Sequence, residues 1–210
     1  MVNKSLSGYP VSMHTYSNVP KHLHINKRAE SSAHWLQPYH LGQLLLVKTN
    51  DRDPKAIIEL ITHWVLRGSF YLIAAGEWLP HHDDLRYSIY RYTSAINEVL
   101  ENLVLARPFT CYQLLDLLME VDKYNRPVLI LDTLHLFYDP NVELSLRDSV
   151  LEKCCHYVRR LSFSTPVALL VRDVAGDEYA RFFPVVAAMA DDIIESEKNP
   201  SSQASQIALF

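Results

Sequence analysis

Four short, nearly uninterrupted apolar runs most constrain what this chain can fold into: Leu44–Val47, Phe70–Ala75, Val128–Leu131 and Val167–Val171. Each has the length of a strand, and none shows the apolar–polar alternation of a sheet with one face in water. Strands of this kind are buried on both faces, so helices must cover both. The intervening segments have the right pattern. Pro54–Arg67 sets Ile57, Ile58, Ile61 and Val65 on one helical face, and Gly68 stands where a helix C-terminus wants glycine. Leu144–Leu161 does the same with Val150, Leu151, Cys154, Cys155, Val158 and Leu161.

The full reading is six strands: Leu44–Thr49, Phe70–Ala75, Glu98–Ala106, Pro127–Leu131, Pro166–Val171 and a short Asp192–Glu195. Helices fall at Pro54–Arg67, about Asp84–Tyr92, from a Thr110 cap to about Val121, Leu144–Leu161 and Glu178–Met189. Gln113 is placed to complete a capping box with Thr110. Strand and helix in alternation predict an α/β fold: a mostly parallel central sheet with helices on both faces, a three-layer sandwich. Residues 1–38, rich in Ser, His, Tyr, Asn and Pro without a sustained period, read as an arm. The core is expected over 39–197, and 198–210 reads as a polar tether ending in a docking peptide.

Bulk properties narrow the function classes. The chain has 210 residues, enough for one sizeable core, and a formal net charge of −4 argues against a strongly basic nucleic-acid surface. No apolar run approaches the roughly 20 residues of a membrane span, and no apolar leader is visible near residue 1, so a cytoplasmic protein is expected. Cys111, Cys154 and Cys155 form an odd set without a CxxC, which fits a reducing compartment.

One strand ends in an acid. Asp132 and Thr133 follow the most apolar run, the place where a magnesium-binding carboxylate belongs in many ATPases. Around it, Leu103–Thr110, Val128–Thr133, the long helix carrying Arg159 and Arg160, and Val167–Val171 follow one another in the order and spacing of a known core. Tyr71–Glu77 is similar to a strand that delivers a catalytic glutamate, and Gly42-Gln43-Leu44 to the entry of a first core strand. Over about residues 40–195 the chain thus resembles the ATPase core of RecA and of the archaeal and eukaryotic recombinases.

The resemblance implies ATP and magnesium, yet it breaks where phosphate should bind. That family has G-x-x-x-x-G-K-[ST], whose glycines let backbone N–H groups converge on phosphate. Here Lys48-Thr49-Asn50-Asp51-Arg52-Asp53-Pro54-Lys55 contains no glycine. Asp53 stands at an N-cap position and Pro54 at the first helical position, so a side-chain carboxylate fills the anion pocket. No bound cofactor is therefore expected, and Asp132 and Glu77 read as relics. An alternative keeps an active ATPase that grips ATP and magnesium through an unusual loop, using Lys48, Thr49 and Lys55 with Asp132 and Glu77.

The segments equivalent to recombinase DNA-binding loops, Tyr138–Leu144 and Arg172–Tyr179, carry Asp139, Glu143, Asp173, Asp177 and Glu178. Phosphate affinity comes chiefly from Lys and Arg, so weak or no direct nucleic-acid binding is expected. Arg159 and Arg160 read as helix-end residues that complement the dipole. His81-His82-Asp83-Asp84 has metal-ligand residue types, but adjacent side chains diverge, and Asp83 or Asp84 suits a helix cap; no metal site is expected. His14, His22, His24 and His34 in the arm read as polar residues, and Tyr87, Tyr90 and Tyr92 as packing or interface residues. Cys154 and Cys155 lie on the apolar stripe of their helix.

Gln206-Ile207-Ala208-Leu209-Phe210 resembles the pentapeptide by which bacterial polymerases and repair factors dock on the sliding clamp. Carried over by position, Gln206 fixes register, Ile207 takes the leucine site, and Leu209 and Phe210 fill the groove. The tether Lys198–Ser205 has an r.m.s. span of about 16 Å. Together the two resemblances imply a protein like the ImuA-type accessories: a RecA-like body without catalysis in bacterial DNA repair. Its expected partners are a polymerase or RecA-type protein and the clamp. A regulatory interaction module unconnected with DNA is the remaining reading.

Overall fold

The computed structural model describes residues 42–49, 54–75, 79–172 and 176–195. The expected arm at 1–38, the anion-pocket residues 50–53, Glu77, Asp173 and the tail residues Gln206, Ile207, Leu209 and Phe210 lie outside the described residues. The elements run β1 (Leu44–Thr49), α1 (Pro54–Arg67), β2 (Phe70–Ala74), α2 (His82–Tyr90), α3 (Ile96–Leu100) and β3 (Leu103–Ala106). They continue with α4 (Cys111–Val121), β4 (Val128–Leu131), a 3-10 turn (Thr133–Phe137), α5 (Leu144–Ser164), β5 (Val167–Arg172), α6 (Asp177–Ala187) and β6 (Asp192–Glu195). The strands form one sheet in the order β3-β2-β4-β5-β1-β6, and every pairing is parallel. The fold is α/β.

Two cores, one on each face, follow from strand geometry. Successive side chains on a strand point to opposite faces. Tyr71 and Ile73 therefore join Val128, Ile130, Val167 and Leu169 beneath α4, α5 and α6. Phe70, Leu72 and Ala74 join Leu129, Leu131, Ala168 and Leu170 beneath α1, α2 and α3. Since both faces are covered, both residue sets must be apolar, which is why the central strands read as unbroken apolar runs. In α1, Ile57, Ile61 and Val65 are buried as the helical period requires, and each fully buried aliphatic side chain contributes about 1.5–3 kcal/mol.

The division of helices between the faces follows from chain direction. Parallel crossovers are right-handed, so a step one way along the sheet puts its helix on one face and a step back puts it on the other. The chain moves from β1 out to β2 and β3, then returns through β4 and β5 and passes β1 to reach β6. Reversals of this kind open crevices at the carboxyl ends of the strands, here between β1 and β5 and between β2 and β4.

Local sequence signals set the helix ends. Gly68 has φ +147°, a backbone region that favours glycine, and Asn102 Nδ2 donates to the Val65 carbonyl at 3.3 Å near the same terminus. Thr110 Oγ1 accepts from the Gln113 N–H at 3.2 Å, as the cap predicts. Gln113 Oε1 reaches back to the Phe109 N–H at 2.8 Å, one residue before the cap position a standard box would serve.

Two expectations are corrected. The segment Glu98–Ala106 is not one strand: Ile96–Leu100 is a helix, and only Leu103–Ala106 pairs with β2. Ile96, Val99 and Leu100 repeat at i, i+3 and i+4, a helical face, and all three belong to or pack on the core beneath α1. The α2 helix begins at His82, so Asp83 and Asp84 lie in its first turn, while the cap position belongs to His81, whose side chain makes no cap bond. Two carboxylates in a first turn still favour the helix dipole.

Candidate functional site

Among the described residues, the chemistry-bearing groups of the sheet's carboxyl edge centre on Asp132. Its N–H donates to the Leu170 carbonyl at 2.8 Å, keeping it in the ladder with β5. The chain then turns sharply, with φ 54° and ψ 37° at Asp132. Aspartate and asparagine tolerate this left-handed region better than other residues with a side chain. The 3-10 turn that follows is held by Arg147 of α5, itself buried, whose Nη1 donates to the Phe137 carbonyl at 3.0 Å.

The Asp132 side chain is only 3% exposed, and it forms an ion pair with Arg172 at the end of β5, whose side chain is 20% exposed. A carboxylate buried this deeply persists as a charge only with such a partner. Sheet register places the Arg172 backbone beside Thr49 of β1, and its guanidinium reaches the opposite neighbour, the end of β4. This pairing weighs against a second cation at the carboxylate. A magnesium ion seated at the carboxylate would meet the fixed guanidinium, with a repulsion of about 3 kcal/mol per unit charge at 5 Å and an effective dielectric constant of 20.

Of the lysines named from sequence, Lys48 contacts the helix layer and Lys55 stands at the surface. Lys48 Nζ lies over the Phe183 ring of α6, 5.3 Å from its centroid, a cation–π contact that draws it onto the helix layer. Lys55 is exposed in the first turn of α1, where a positive charge opposes the helix dipole. Thr49 is the last residue of β1 and pairs in register with Arg172. Glu77 lies outside the described residues, two positions beyond Ala75, whose N–H still bonds the Leu131 carbonyl at 2.9 Å.

The segment after the 3-10 turn is closed on itself. Asp139 Oδ1 accepts from the Asn141 N–H at 2.9 Å and from its side-chain amide at 2.8 Å. The reading of Arg159 and Arg160 is corrected. The α5 helix continues to Ser164, and both arginines form ion pairs with other elements, Arg159 with Asp191 and Arg160 with Asp122. They join the helix layer to its neighbours instead of complementing a helix end.

Cys111 and Cys154 are buried, Cys155 is half-buried, and all three are free thiols. Burial raises each thiol above its ordinary range, Cys155 to about 12, which suits packing residues and not nucleophiles. Tyr92 is buried against His63, whereas Tyr87 and Tyr90 are exposed. Among the described residues no three His, Cys, Asp or Glu side chains gather to hold a metal, and no helix is long and apolar enough to cross a membrane.

Sequence reasoning singled out Asp132 but missed its counter-ion. The available signal was the opposite charge ending each of two neighbouring strands, Asp132 after β4 and Arg172 at the end of β5. It becomes readable only once those strands are known to be adjacent. No protein-family model matches this chain, and no curated protein matches it either.

Proposed function

We propose that this chain is a non-catalytic RecA-like accessory protein of bacterial DNA repair or damage tolerance, working in the cytoplasm. Its body binds a polymerase or RecA-type partner, and Gln206, Ile207, Leu209 and Phe210 dock on the sliding clamp. The observation that carries the non-catalytic half is the buried Asp132–Arg172 pair. The acid at the strand end already has its cation, so it offers little to magnesium. Lys48, stacked on Phe183, adds support, since its charge is drawn to α6. The all-parallel sheet with two helical layers is the architecture such a body requires. The docking half rests on the terminal pentapeptide.

Two measurements test the reading. Titration with ATP and magnesium is expected to show no saturable binding, and tight magnesium-dependent binding would favour an active ATPase instead. Capture on immobilised bacterial sliding clamp is expected for the full chain and lost when Leu209 and Phe210 are removed. Unchanged capture by the truncated chain would discard the docking peptide.

A further inference from the structure

We draw no further inference here: the strongest candidate, the groove on the outer surface of the α4–α5 layer lined in part by Leu115, Met119 and Tyr157, carries nothing because nothing in the structure shows what covers it.

Discussion

Two aspartate–arginine pairs sit at opposite edges of the sheet, and the same residue types do different work in each. At the carboxyl edge, Asp132 and Arg172 meet in near-complete burial. At the amino edge, Asp191 and Arg159 meet with about a third of each side chain exposed. Asp191 also accepts from the Leu44 N–H at 2.7 Å, which ties the start of β1 to the turn before β6 and to α5. The inner pair is a matter of charge: neither member is tolerable alone. The outer pair is a matter of hydrogen bonding, since its carboxylate holds a backbone donor while water attenuates the Coulomb part. Burial and not residue identity thus separates a pair held by charge from a structural staple.

The largest expected effect breaks the inner pair on one side. Arg172→Met takes the guanidinium away from a carboxylate that is only 3% exposed, and the expected loss of unfolding free energy is about 3 kcal/mol, read from the denaturant midpoint at unchanged slope. Adding Asp132→Asn is expected to recover much of that loss, because the charge goes with its partner. If Arg172→Met costs no more than Arg159→Met, burial does not distinguish the two edges as argued.

A smaller effect is expected at the outer pair. Arg159→Met is expected to lower stability modestly at low ionic strength and to approach the wild-type value in high salt, as exposed pairs do. The Arg159 guanidinium and the Leu44 N–H both hold the Asp191 carboxyl below its ordinary range. That contribution is present above the unfolded carboxylate pKa and is lost as pH falls through the lowered folded value. A loss equally large at both salt concentrations would contradict the assignment.

The smallest effect concerns His63 on α1, packed edge-on against Tyr92 at 5.6 Å between centroids. Burial, with the nearby Arg67, lowers its pKa below 6.5. The folded state therefore binds this proton less readily than the unfolded chain, so stability falls as pH drops below about 6.5 and levels off below the folded value. His63→Phe is expected to flatten that part of the pH profile without changing the profile in the carboxylate range. An unchanged slope between pH 5 and 6.5 would locate the dependence elsewhere.

Legibility tracked how local each signal was. The runs Val128–Leu131 and Val167–Val171 are strands because nothing else of that length and apolarity packs between two helical layers. Thr110 and Gly68 announced their helix ends through chemistry confined to a few residues. Glu98–Ala106 was misread because a five-residue helix and a four-residue strand adjoin with only Glu101 and Asn102 between them, too short for either period to declare itself. Arg159 and Arg160 were misread for a different reason: their partners, Asp191 and Asp122, are 32 and 38 residues away in the chain.

By itself the amino-acid sequence determined the α/β class, the strands that lie at the centre of the sheet, and a segment after β1 without the glycines of a phosphate loop. All three rest on residue type and spacing over short distances. Only the tertiary structure decided the strand order, and with it the meeting of Asp132 with Arg172 across two neighbouring strands. Ion pairs between distant segments depend on how crossovers bring strands and helices together, and no local pattern encodes that placement.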